Sequence, residues 1–240
     1  MSIGWRRDIR RRLVDCEAPG DHSTLTSRVC TEGTFMKAIK TTVLCAALFT
    51  VSNLCLADET IVFLRHGEKP PAGLGQLDCQ GLQRALRLPS VLKDLFGTPT
   101  AIFAPNPAVK KDDNGVSYDY VRPLATIEPT AITFSLPVNT DIGYEDTQGL
   151  LKALTAPDYA NAVVFVAWEH HLARTAAQDL LKQFGADASA MPKWKSDDFD
   201  SLYVVKLKAG SGGSRTATFE LMHQQLNGLP ATCPSGNGLK

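Results

Sequence analysis

Two apolar runs constrain this chain more than anything else in it: 60–64 (TIVFL) and 162–167 (AVVFVA), each followed within a few residues by a histidine, His66 and His170. Both are short, rich in β-branched residues and apolar at successive positions. That is the pattern of strands covered on both faces. Strands of this kind belong to parallel sheets held between helices. If the two lie parallel, both histidines sit on one rim, outside the carboxyl ends of the strands, where open α/β sheets bind ligands. One histidine after a strand is commonplace. Two at equivalent strand ends, one preceded by Arg65, form a candidate site.

The rest of the chain alternates strand and helix signals. Asp78 is an N-cap for a helix expected over 79–96, with Leu82, Ala85, Leu86, Leu88 and Leu92 as its apolar positions. Pro89 is expected to bend or interrupt it, and Gly97 and Pro99 to end it. A short strand follows at 100–104, a polar, turn-rich loop over 105–119, a helix over 120–134 disturbed by Pro129, and a short strand at 138–139. Helices are expected over 145–155 and 171–184, the latter with Leu172, Ala176, Leu180 and Leu181 inward. Segments 202–207 and 216–222 read as an antiparallel hairpin about a Gly/Ser turn. The fold class is therefore α/β: a three-layer α/β/α sandwich with a mostly parallel central sheet and no internal repeat.

The first 57 residues read differently. A basic start at Met36-Lys37, ten apolar residues over 42–51 and the small residues Cys55 and Ala57 follow the order of a secretory signal, with cleavage near Ala57. The apolar run is too short to span a bilayer, which takes about 20 residues. Residues 1–35, with their arginine-rich start, read as an over-extended start or a disordered basic tail. The domain is then 58–240, periplasmic or secreted. It carries 17 Lys+Arg against 20 Asp+Glu, a net charge of −3, which argues against an extended nucleic-acid surface. Of six cysteines only Cys79 and Cys233 remain. A bridge between them suits an oxidising compartment, but the sequence alone leaves bridge and free thiols equally open.

The chemistry at the rim follows from residue types. The imidazole of His66 can attack phosphorus, and the guanidinium of Arg65 offers a rigid fork to phosphoryl oxygens. Gly67 is expected to let the chain turn sharply. RHGE at 65–68, LDCQGLQRAL at 77–86, VRPLATIEPTA at 121–131 and VVFVAWEH at 163–170 together resemble the histidine phosphatase superfamily, whose fold is phosphoglycerate mutase-like. The resemblance covers nearly all of 60–208. It implies that His66 is a nucleophile that becomes phosphorylated, and that Arg65, Arg122 and His170 hold the phosphoryl oxygens. It implies no metal and no cofactor. Lys69 stands where a version of the motif has a second arginine and is a further phosphate contact to test.

A proton must reach the leaving oxygen, so a carboxyl is expected over the phosphate. Glu145, 23 residues after Arg122, is preferred, with Glu169 its competitor unless strand alternation turns it away, and Asp146 third. His171 is expected to point into the start of the following helix, and Arg84 and Arg87 to be solvated or salt-bridged. The resulting expectation is an exported, metal-independent phosphomonoester hydrolase. Its partner would be a small-molecule phosphate ester or a phosphorylated envelope component, with specificity set by the 105–119 loop. A noncatalytic phospho-ligand binding module on the same scaffold and a phosphomutase are the alternatives.

Overall fold

The computed structural model describes residues 58–210 and 213–234. The expected signal segment 36–57 and the basic stretch 1–35 lie outside the described residues. Six strands form the main sheet: β1 (Glu59–Arg65), β2 (Ala101–Phe103), β5 (Val138–Asn139), β6 (Val163–Trp168), β7 (Ser201–Ala209) and β8 (Arg215–His223). A separate two-stranded ribbon is made by β3 (Lys110–Asp113) and β4 (Val116–Asp119). The helices are α1 (Cys79–Phe96), α2 (Arg122–Phe134), α3 (Thr147–Leu154) and α4 (His170–Gln183).

The order across the main sheet is β5-β2-β6-β1-β7-β8. The first four are parallel to one another, and β7 and β8 run antiparallel at one edge. Alternate residues of β1 and β6 feed two cores. Ile61, Phe63, Val164, Val166 and Trp168 pack with residues of α3 and α4. Val62, Leu64, Phe165 and Ala167 pack with residues of α1 and α2 on the other face. This is why both runs are apolar throughout: each strand has helices on both sides. The fold is a three-layer α/β/α sandwich.

Several local expectations need correction. Helix α1 runs unbroken through Pro89, which is buried in its packed face, so tertiary contacts outweigh the missing donor. Leu82 and Leu86 are exposed at 38% and 51%; the buried face is Gly81, Arg84, Ala85, Leu88 and Leu92. The 105–119 segment is not a plain loop, because 110–119 folds as the β3–β4 hairpin. Asn114 and Gly115 at its tip have φ of 57° and 83°, the two left-handed positions of a tight hairpin turn. Cys79 and Cys233 are joined by a disulfide, which ties the start of α1 to the C-terminal tail.

Candidate active site

Strands β1 and β6 end together: Arg65 is in register with Trp168, and the His66 amide donates to the Trp168 carbonyl at 3.2 Å. His66 and His170 therefore leave neighbouring parallel strands, which lie about 4.8 Å apart. Gly67 does not adopt a left-handed φ. Its role is close approach. A Cβ there would lie 3.0 Å from the Gly81 Cα and carbonyl oxygen, and a Cβ on Gly81 would lie 2.3 Å from the Glu68 carbonyl oxygen. The backbone of the 65–68 loop thus rests directly on the first turn of α1. The Gly67 amide also donates to Thr126 Oγ1 at 2.9 Å, and that hydroxyl donates to the Arg122 carbonyl at 2.8 Å, linking the loop to α2.

His66 is 3% exposed, and its Nδ1 lies 2.8 Å from the Gly67 carbonyl oxygen. A carbonyl can only accept, so Nδ1 carries the hydrogen and the lone pair falls on Nε2. Burial, assisted by the charges of Arg122 and Arg65, pushes the imidazole pKa down to about 3, against the opposing pull of the Gly67 carbonyl. The ring is neutral at physiological pH, with one unprotonated nitrogen in a fixed tautomer.

Polar atoms of residues near this end of the sheet are incompletely paired. Arg65 Nη1 donates to the carbonyls of Ser196 at 2.7 Å and Asp198 at 3.1 Å, and its guanidinium lies 3.9 Å from the centroid of the Phe199 ring. Its Nε is buried without a partner. Arg122, at the start of α2, places its fork on Asp113, with Nη1–Oδ2 at 2.5 Å and Nη2–Oδ1 at 3.1 Å, and its Nε too is buried without a partner. The Tyr120 hydroxyl and His170 Nε2 are likewise unpaired. The Tyr120 ring stands edge-on to His66 at 6.1 Å. Buried guanidinium and hydroxyl donors left open in this way are costly unless something accepts from them, and an oxyanion does.

The carboxylates fall in different places. Glu169 caps α4, accepting from the Leu172 amide at 3.0 Å, and Oε1 lies 2.6 Å from His170 Nδ1. Burial raises its pKa, but the contacts with His170 and Leu172 and the charge of Lys111 outweigh that and hold it at about 2. It is buried at the rim and close enough to act electrostatically on His66 and Arg65. Glu145 is exposed and accepts from the Tyr144 hydroxyl at 2.8 Å. Asp146 caps α3 through the Gly149 amide. Lys69 reaches Asp113 at 3.3 Å. His171 is exposed, its ring 3.9 Å from that of His170.

Arg84 is fully buried, not solvated. Its Nε and Nη2 bind Glu68, with the shortest contact at 2.7 Å, and its Nη1 reaches Asp200 at 3.4 Å and Gln224 at 3.1 Å. It braces the loop from behind. Arg87 is exposed and bonds only within its own helix, to Gln83. Asp113, Lys111 and Tyr120 are the site neighbours that sequence reasoning missed. The Asn114-Gly115 pair was the available signal, since it marks a hairpin and hence an alternation that turns Lys111 and Asp113 to one side. Among the described residues, Glu169, His170 and His171 have ligand atoms within 4.8 Å of one another, so a metal ion would compete for the same side chains.

No family model matches the chain, and no curated protein matches it. Among solved structures it is similar to a candidate phosphohistidine phosphatase, SixA, from Nakamurella multipartitia, with 15% identity over 70% of this chain and 96% of that one and a TM-score of 0.48. It is also similar to a mycobacterial glucosyl-3-phosphoglycerate phosphatase solved with inorganic phosphate, with 15% identity over 68% and 95% and a TM-score of 0.45. A SixA candidate from Agrobacterium tumefaciens gives 13% identity over 68% and 97% and a TM-score of 0.44. Likeness this faint carries no residue's role across.

Proposed function

We propose that the chain is a metal-independent phosphomonoester hydrolase that works through a phosphohistidine at His66. One observation carries this: a buried, neutral imidazole with Nε2 unprotonated, under the charges of Arg65 and Arg122, each of which keeps a buried Nε without a partner. In the first step Nε2 attacks phosphorus, the P–O bond to the alcohol breaks, and that oxygen takes a proton. In the second, water attacks the phosphohistidine, the P–N bond breaks, and the imidazole is restored with its Nδ1 hydrogen still on Gly67. Arg65 and His170 hold phosphoryl oxygens. Arg122 adds charge and its free Nε, while its fork stays on Asp113.

The proton is assigned to Glu169, because it lies buried at the rim while Glu145 is exposed. A carboxylate held at a pKa of about 2 is a poor acid as it stands. A bound phosphate dianion beside it repels the second negative charge and raises that pKa, so substrate binding makes Glu169 take up a proton from solvent, which it returns to the leaving oxygen and regains from the attacking water. Export through the 36–57 segment belongs to the same proposal, and the Cys79–Cys233 bridge suits an oxidising compartment.

The test is a trapping experiment. Brief incubation with a labelled phosphate ester, an alkaline quench and mass spectrometry should find phosphate on His66. Turnover should vanish in His66→Ala and survive a chelator. Label on another residue, or undiminished turnover in that variant, would refute the mechanism. The mass of the mature N-terminus tests export, with Asp58 the expected first residue.

A further inference from the structure

Strand β3 alternates. Lys110 and Asp112 face outward and are exposed, whereas Lys111 is half-buried and Asp113 is 5% exposed. The two inward residues do different things. Asp113 anchors the hairpin: its carboxylate accepts from the Arg122 fork, from the Gly75 amide at 3.0 Å and from Lys69 at 3.3 Å. Lys111 makes no ion pair among the described residues. Its ammonium lies 4.6 Å from the centroid of the Tyr144 ring and 5.6 Å from that of Tyr120. The Tyr120 ring also stands edge-on to that of His66, and the charge of Lys111 helps keep Glu169 ionised.

We propose that Lys111 selects phosphate esters whose leaving alcohol carries a second negative charge, with the β3–β4 hairpin held in place by Asp113. The inference rests on the phosphatase reading and deepens it. The group that protonates the leaving oxygen must lie beside that oxygen. A cation that acts on the proton donor, and rests on aromatic rings that also flank the nucleophile, is therefore placed to meet the leaving group. Aromatic faces attract an ammonium without neutralising it, so its charge stays available to an incoming anion. Glu169 would repel such an anion while ionised, but the proton it takes up when phosphate binds removes that opposition. A leaving group with a carboxylate or second phosphate near the ester oxygen has the chemistry to fit.

Phosphoglycolate and ethyl phosphate test this, because they differ by one carboxylate at similar size. With the full chain, kcat/KM for phosphoglycolate should exceed that for ethyl phosphate by about tenfold, the order expected for one ion pair in a partly solvated site, and the preference should shrink as salt is raised. Lys111→Met keeps an unbranched side chain, removes the charge, and should bring the ratio close to one. Lys110→Met, on the outward face, should leave the ratio as it is. Equal kcat/KM for the two esters in the wild type, or an unchanged ratio in Lys111→Met, overturns the inference. Turnover of ethyl phosphate that His66→Ala abolishes, without any preference, overturns the inference alone and leaves the phosphatase reading standing. Turnover of neither ester overturns both.

Discussion

The loop at 65–68 has two sides, and each carries buried arginine. Behind it, Arg84 has Nε, Nη1 and Nη2 all engaged, on Glu68, Asp200 and Gln224. In front, Arg65 and Arg122 each keep a buried Nε with no partner, beside the unpaired His170 Nε2 and Tyr120 hydroxyl. The same side-chain chemistry at similar depth is saturated on one side and unsaturated on the other. A saturated buried network fixes a geometry, and removing one partner strands a charge. An unsaturated one leaves donors open to an incoming acceptor. On the proposed reading Arg84 is scaffold, and the front residues are machinery.

The strongest challenge to that division is His66→Ala. It should lower turnover by roughly 10³-fold or more, as loss of a nucleophile does, while leaving the melting transition at or slightly above that of the wild type. A large loss of stability instead would move His66 to the scaffold side. Arg84→Met should do the reverse. It leaves Glu68 and Asp200 buried without their cation and should cost about 3–5 kcal/mol of unfolding free energy. Denaturant titration reads this, and a change under 1 kcal/mol would mean that the back network is not a support. Replacing both Cys79 and Cys233 with serine should cost about 2–4 kcal/mol, since the bridge closes a loop spanning 154 positions. Melting with and without reductant, in wild type and double variant, isolates that term.

The finest distinction is in pH. The His66 pKa falls from an ordinary 6.5 to about 3 in the folded protein. The unfolded chain then binds a proton that the native state refuses, so stability is complete above pH 6.5 and is lost as pH falls from there toward 3. Glu169 and Asp113, both held at about 2, add a further loss at lower pH, below their unfolded values of 4.5 and 3.8. His66→Gln should flatten the stability profile between about pH 6.5 and 4.5, leaving the more acidic decline in place. An identical profile in both proteins would mean that the histidine is not buried neutral.

Most of this frame was legible in the chain, for particular reasons. Strands covered on both sides leave unbroken apolar runs, so β1 and β6 are visible at once, and the histidines placed at their ends follow. Asp78 names the start of α1 by itself, because a side-chain acceptor is what a first turn needs. The hairpin that carries Lys111 and Asp113 was harder to see. A ribbon clear of the main core has no apolar alternation to reveal it, and KKDDNGVSYD reads as loop unless Asn114-Gly115 is taken as a turn. Arg84 reads only as solvated or salt-bridged, because a charged residue on a helix is solvated by default; the structure takes the second alternative. Its spacing from Gly81 and Leu88 put it on the inward face, but its partners Asp200 and Gln224 lie more than a hundred residues away. The assignment of Glu169 over Glu145 also depends on folded surroundings, since neither carboxyl sits in a tight local motif.

The crossing of Gly67 over Gly81 has a consequence for mutational tolerance. At most positions a scan of all replacements returns a graded column, with small residues accepted and large ones refused. Gly81 should return a blank, alanine included, because the obstacle is main chain and cannot rotate aside. Gly67, whose contacts are tight but not closed, should tolerate alanine poorly and refuse anything larger. An empty column in the helix paired with a nearly empty one in the loop, fourteen residues apart, would map where the two backbones touch without a diffraction pattern.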